Sequence, residues 1–398
     1  MSNKKITIIC PSILPVPAVK GGAVENLLES FIKYNSKNKR IKIDLITIYD
    51  KEAESVLRKY SCIKGWQIKN STLQIRLNTI LKSYLLKKLP VTYYNKIISK
   101  IQEIGNKTVL VEGGLGCAIE IKRKLPSYNI YYHSHGLEFD SLGIQELKIV
   151  NSFSGIFFVS HFCLNRAVDK NVSKDKCYFL KNRIEISKFN YLISNDEKNK
   201  FRKKYGIEKD KINIVFKGRI VEEKGIIELI KAFYLLNKPD CTLLICGGKN
   251  FGKKNIFGSK FAKKIKKEIR CNKQIKFLGY VPYSEIPILN SITSVAVLPS
   301  RWDDPAPLAL IESIVSCIPT LASNRGGISE YAESAGVELI DEERFIDSLY
   351  EKINILINNR EKMEEMKEQS KKNIKKFDFE EYYDELCDFL LREKSDES

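Results

Sequence analysis

The sequence predicts an α/β protein made of two Rossmann-like, doubly wound parallel-sheet domains facing a central cleft. Three observations predict it. Short apolar runs of strand length alternate with helical stretches from one end of the chain to the other, the pattern imposed by a parallel sheet with helices on both faces. The strand series restarts after a polar, strand-poor stretch near the middle. A chain of 398 residues also exceeds one ordinary core, so two domains of similar size are expected.

In the first half, strands are predicted at 6–10, 42–48, 108–112, 129–133 and 155–160, with helices at 24–34 and 115–124 among the segments between them. The second half repeats the scheme, with strands at 212–216, 241–246, 275–278, 294–298, 319–322 and 337–340. The run at 241–246 is nearly all apolar, as strands covered on both faces are. Residues 182–206, which include a short charged helix, form the linker candidate, with the hinge at 181–194. The stretch 359–391 reads as charged helix that turns amphipathic from Phe377, and such a helix needs a surface to cover. The expected division is an acceptor-binding domain at 1–185, a nucleotide-sugar domain at 186–375, and a terminal helix at 376–398 that packs back onto the first domain.

Composition bounds the function. Hydrophobic residues make up 43% and charged residues 29%, which describes a folded globular chain. No run approaches the roughly 20 apolar residues that span a bilayer, and Met-Ser-Asn-Lys-Lys at the start lacks a signal-peptide core. Ten cysteines without a Cys-x-x-Cys pair suit reduced thiols and a cytoplasmic protein. The net charge of +18 asks for an anionic partner, or else records a lysine-rich solvated surface. Dispersed charges without a stacking platform argue against nucleic acid. Residues 73–100 mix Leu and Ile with Lys and Tyr, which suits peripheral contact with an anionic inner leaflet and equally suits two ordinary helices. The lysine-rich segment 257–270 reads as a helix with a wet face. His133, His135 and His161 lack the fourth ligand a zinc site needs, so no metal or other cofactor is expected.

The chemistry concentrates where strands give way to loops, the edge at which open α/β sheets bind ligands. Val-Leu-Pro-Ser-Arg-Trp-Asp-Asp-Pro-Ala-Pro-Leu-Ala-Leu-Ile-Glu, residues 297–312, reads as a buried strand, a polar loop and the start of an apolar helix with acids at Asp304 and Glu312. A helix mouth presents unpaired N–H groups and a positive end to a phosphate. Pro307 removes one donor, leaving the N–H groups of Ala306, Leu308 and Ala309. Asp304 is the candidate acceptor for sugar hydroxyls, and Glu312 for a ribose diol; pairing of Glu312 with a surface cation is disfavoured by its apolar neighbours. Gly218-Arg219 and Lys224-Gly225 flank another strand end, where a guanidinium and an ammonium can converge on one diphosphate; the plain alternative is two surface cations. Gly21-Gly22 before a helix and Gly247-Gly248 after a strand permit close backbone approach of a ligand, or serve only turn geometry. Gly326-Gly327-Ile-Ser-Glu330 offers the same after a later strand. In His133-Ser-His135-Gly136, His135 is the cleft candidate and His133 the buried one; such a histidine is as readily structural.

Together these loops resemble the retaining nucleotide-sugar glycosyltransferases of family 4, which share the two-domain GT-B architecture. Gly218-Arg219, Lys224-Gly225, Leu278-Gly279, Pro299-Ser300, Asp304 to Glu312, Ile318-Pro319-Thr320 and Gly326-Gly327 to Glu330 occur in the family's order. In the first half, Gly21-Gly22 and His135-Gly136 correspond. The resemblance implies that Arg219 and Lys224 hold the diphosphate, Glu312 the ribose, Asp304 the transferred sugar, and His135 the sugar near its reacting carbon. It further implies a hexosyl or N-acetylhexosaminyl unit moved from a nucleotide sugar, UDP favoured, with retention and without metal. The acceptor would be a saccharide, free or lipid-linked, in capsule, O-antigen or lipopolysaccharide synthesis. Asp304 stands where the family usually has glutamate, Pro307 where it often has glycine, and Asn182-Arg183 where Asn-Gly is common. Two rivals remain: a nucleotide-sugar epimerase on the same scaffold, which needs further acids at the first edge, and a non-catalytic nucleotide-sugar-binding subunit, which would be expected to lose Arg219, Lys224 or Glu312.

Overall fold

A computed structural model describes the chain except for residues 1–3, 12–13, 61–62, 70–91, 249–259, 270–271, 334 and 393–398. The chain divides into two compact units, Met1–Lys181 with Glu380–Ser398, and Asn182–Phe379. The boundary at 181/182 reflects local bonding. The Asn182 N–H donates to Tyr331 Oη at 2.9 Å, and Ile184 pairs with Asp378; all four residues lie in the second unit. Most of the segment 73–100, read as a candidate membrane contact, lies outside the described residues, as does 257–259. Among the described residues no helix is long and apolar enough to cross a membrane.

The first unit holds seven parallel strands: β1 (Lys5–Ile9), β2 (Lys42–Ile48), β3 (Ile63–Ile68), β4 (Thr108–Glu112), β5 (Asn129–Ser134), β6 (Gly155–Phe158) and β7 (Cys177–Phe179). Their order is β3-β2-β1-β4-β5-β6-β7, so the winding reverses between β1 and β4. The edge strands β3 and β7 were not anticipated from the sequence; β3 carries Lys64, Gly65 and Gln67, and β7 is three half-buried residues long. The helix Phe379–Leu391 covers this unit. Tyr383 Oη donates to Asn35 Oδ1 at 3.0 Å, Arg40 pairs with Asp384 and Asp388, and the Phe389 ring packs at a tilt against Tyr178, with centroids 4.7 Å apart.

The second unit is a six-stranded parallel sheet of β8 (Ile212–Lys217), β9 (Cys241–Cys246), β10 (Ile275–Gly279), β11 (Val295–Leu298), β12 (Thr320–Ser323) and β13 (Val337–Ile340). The order β10-β9-β8-β11-β12-β13 reverses between β8 and β11. All six residues of β9 are buried, because the helices Ile226–Leu236 and Phe345–Asn358 pack one face of the sheet while Leu308–Val315 and Ile328–Ala332 pack the other. In such sheets ligands bind beyond the carboxyl ends of the strands at the reversal. Here that point lies between the loop 218–225 and the loop 299–307.

Candidate functional site

The loops at the reversal of the second sheet are pinned to one another by backbone contacts that admit no side chain. Gly225 has φ +66°, and a Cβ there would lie 1.8 Å from Pro299 O; next to it, the Arg301 N–H donates to Glu223 O at 2.8 Å. Gly326, at φ +61°, would bring a Cβ within 2.5 Å of Asp304 O, and the Gly327 N–H donates to that same oxygen at 2.9 Å. The Ile220 N–H donates to Gly248 O at 3.0 Å, tying the turn after β8 to the one after β9. The glycines read from the sequence as ligand-approach positions thus also let these loops touch.

This pinning sets Lys224 against Asp304. The two form a short ion pair in which Asp304 is buried, and the Lys224 ammonium stands 5.3 Å from the Trp302 ring centroid, within cation–π reach. One carboxylate oxygen of Asp304 is therefore committed to Lys224. Arg219 is different in kind. Its side chain is 40% exposed and lies 3.8 Å from Glu223, a contact that restrains it weakly. Beside them the helix Leu308–Val315 begins at the N-cap Pro307. The N–H groups of its first turn, at Leu308 and Ala309, lack intrahelical acceptors, while Asn182 Nδ2 donates to Ala306 O at 3.4 Å.

Glu312 lies about one turn along that helix, buried, and it has a partner that the sequence did not suggest. It does pair with a cation, though a buried one: Lys217 Nζ lies 3.4 Å from Glu312 Oε2 and donates to Asn290 Oδ1 at 2.8 Å. The Asn290 amide in turn donates to Ser316 Oγ at 2.8 Å and to Glu312 O at 3.3 Å. Burial pushes the Lys217 ammonium down and the Glu312 carboxyl up, with their mutual attraction working the other way. Glu312 is thus held by Lys217 at one oxygen, Oε2.

In the first unit the loops after β1 and β4 also meet, since a Cβ on Gly114 would touch Pro11 Cγ at 2.7 Å. Gly22 precedes the helix Ala23–Asn38, and a Cβ on it would lie 2.0 Å from Glu25 Oε2. The buried Glu25 carboxylate therefore occupies the helix mouth at which the sequence suggested an incoming anion. His135 follows β5 and gives Nε2 to Glu112 Oε2 at 2.9 Å, while His133 gives Nδ1 to the same oxygen at 3.0 Å. Burial raises the Glu112 carboxyl, but the two imidazoles outweigh it and hold it at about 2. Burial lowers His133.

Gly218, Arg219, Lys224, Gly248, Asp304, Ala306, Leu308, Ala309 and Glu312 thus share the carboxyl edge of the second sheet, whereas Gly22 and His135 belong to the first unit. Sequence reasoning missed Lys217, Asn290, Glu112 and Trp302. A signal was present for two of them: Lys217 and Glu112 are charged residues that close otherwise apolar strands, Ile-Asn-Ile-Val-Phe-Lys and Thr-Val-Leu-Val-Glu.

Residues 197–373 match the family "Glycosyl transferases group 1". YtcC of Bacillus subtilis is 24% identical over 383 residues, covering 93% of this chain and 87% of that protein. Among solved structures, a glycosyltransferase from Rickettsia africae superposes with a TM-score of 0.79 at 16% identity, covering 99% of this chain and 100% of the other. HepE of Anabaena, solved with UDP and glucose, superposes with a TM-score of 0.75 at 17% identity, covering 98% and 99%.

Proposed function

We propose that this chain, a glycosyltransferase of the group 1 type with the GT-B fold, moves a hexosyl or N-acetylhexosaminyl unit from a UDP-sugar to a saccharide acceptor with retention, in the synthesis of a cell-surface polysaccharide. The observation that carries this reading is the pairing of Lys224 with Asp304 at the reversal of the second sheet, beside a helix mouth. HepE's complex with UDP and glucose supports UDP as the nucleotide. The acceptor class follows the family resemblance of the loops, and the net charge of +18 suits a saccharide carried on an anionic lipid at the cytoplasmic face of a membrane.

In this reading Glu312 Oε1 accepts from the ribose diol, and Lys224, Arg219 and the N–H groups of Ala306, Leu308 and Ala309 receive the diphosphate. Gly218 and Gly248 let the backbone approach the nucleotide. As the bond from the anomeric carbon to the diphosphate lengthens, positive charge grows on the sugar ring and negative charge on the leaving phosphate. The cations and the helix dipole stabilise that phosphate without a metal. Asp304, sharing its carboxylate between Lys224 and a sugar hydroxyl, couples sugar position to phosphate position. His135 accepts a hydrogen bond from the sugar near the reacting carbon.

Screening UDP-, GDP-, ADP- and dTDP-sugars by thermal shift identifies the donor, because a ligand bound to the folded state raises the melting temperature. Arg219→Ala is expected to lower turnover by a factor equivalent to about 3 kcal/mol of barrier with an unchanged melting temperature, since the side chain is half exposed. Lys224→Ala is expected to lower turnover at least as much and to cost stability, because it strips Asp304 of its partner. Wild-type rates in both variants would refute the assignment.

A further inference from the structure

We propose that Glu112 is a positioning residue for His135: by accepting the ring's Nε2–H it fixes one tautomer and presents Nδ1 as a hydrogen-bond acceptor to the bound sugar. The sugar contact rests on the function proposed above; the tautomer does not. An ionised carboxylate can only accept hydrogen bonds. Glu112 Oε2 lies 2.9 Å from His135 Nε2 and 3.0 Å from His133 Nδ1, so both nitrogens carry protons. The second nitrogen of His133, Nε2, is buried without a partner, which an unprotonated lone pair tolerates better than an N–H. His133 is thereby a neutral Nδ1–H imidazole, and His135 carries a proton on Nε2. Their ring centroids are 4.1 Å apart, close enough that two imidazolium charges would repel strongly.

The surroundings hold this arrangement. Glu112 is buried at the end of β4, and Tyr382 of the covering helix brings its hydroxyl to 3.4 Å from His133 Nδ1. Glu138, the other acid facing His133, is occupied by Ser134 Oγ at 2.9 Å and Tyr132 Oη at 3.3 Å. His135 is 13% exposed, and its hydrogen bond to the cluster runs through Nε2. The same three residues also bring one ligand atom each to within 4.8 Å of one another, near enough to hold a metal ion. A ligating imidazole normally donates its second N–H to an acceptor. Ligation through His133 Nδ1 would leave a buried Nε2–H with none, so the hydrogen-bonded arrangement fits the residues better.

The chain has three histidines, so long-range 1H–15N NMR on histidine-labelled enzyme reads each tautomer separately. The expected spectrum shows His135 as Nε2–H and His133 as Nδ1–H at neutral pH. Glu112→Gln should move His135 toward a tautomer mixture, leave His161 unchanged, and lower kcat about ten-fold or more with little change in donor KM; Glu112→Asp should recover part of the loss. His135 found as Nδ1–H in the wild type overturns the proposal without any variant. So does a tautomer unmoved by Glu112→Gln, or stoichiometric uptake of zinc from a zinc chloride titration that protonation of the cluster reverses. The predicted tautomer together with full activity in His135→Ala would instead refute the sugar contact and leave the positioning intact.

Discussion

Replacing Lys217 with methionine removes the ammonium from a buried pair while keeping most of the side chain's volume. The side chains of Lys217 and Glu312 are 6% and 9% exposed, so water cannot take over the lost contact. Deleting one partner of such a pair typically costs about 3 to 5 kcal/mol, chiefly as the penalty of the stranded charge. Burial already raises the Glu312 carboxyl, and loss of the ammonium raises it further, so protonation relieves part of the penalty and the cost falls toward the lower end, about 3 kcal/mol. Asn290 Oδ1 loses a donor as well, adding about 1 kcal/mol. In Lys217→Met/Glu312→Leu both charges are gone, and replacing a buried pair by apolar groups is commonly close to neutral. The double variant is therefore expected to be more stable than Lys217→Met alone, with a coupling energy of about 2 kcal/mol or more. The chain has two tryptophans, Trp66 in the first unit and Trp302 in the second. Urea unfolding followed by Trp302 fluorescence in a Trp66→Phe background reports the second unit. A loss below about 1 kcal/mol in Lys217→Met, or a double variant weaker than the single one, would refute the pair's structural role.

Acid should destabilise the first unit in two stages. His133 is lowered by burial, so below its ordinary value of 6.5 the unfolded chain takes up a proton that the folded one refuses, and stability falls as pH drops through 6.5. Glu112 is held at about 2 against an ordinary 4.5; its contribution, about 3 kcal/mol, is complete above 4.5 and is lost between there and 2. Trp66 fluorescence in a Trp302→Phe background, titrated from pH 7 to 2, checks both stages, and a flat stability over that range would contradict them. Gly326→Ala is expected to displace the loop bearing Asp304, lowering turnover at least ten-fold and stability by about 1 to 3 kcal/mol. An alanine variant with wild-type kinetics would show that the close approach does not set Asp304's position.

The six strands of the second sheet were legible in the sequence because each is a short, densely apolar run bounded by glycine or polar residues, β9 most clearly. β3 and β7 were not, since edge strands bury one side at most and can carry Lys64, Gly65 and Gln67 in the middle of a run. The loops that assemble at the reversal of the second sheet were readable for a related reason. Gly225 and Gly326 sit where the backbone must bend to positive φ beside another carbonyl, and such glycines punctuate a sequence visibly. What pairing a charge adopts was not readable. Lys217 lies 95 residues from Glu312 and Glu112 lies 21 from His133; only the winding order of the sheets makes them neighbours. A charged residue closing a buried strand was the available sign, and in both units it marked a polar network behind a candidate ligand contact.

Residues 380–391 complete the first unit although 182–379 intervene in the chain, and this ordering matters during translation. The nascent second unit emerges as one uninterrupted block and can close before synthesis ends. The first cannot: Asn35, Arg40 and Tyr178 wait for Tyr383, Asp384 and Phe389, so their surface stays open to chaperones until the helix leaves the ribosome. A premature stop codon just after 379 should accordingly yield a polypeptide whose second unit is whole and whose opening lobe is the part that unravels.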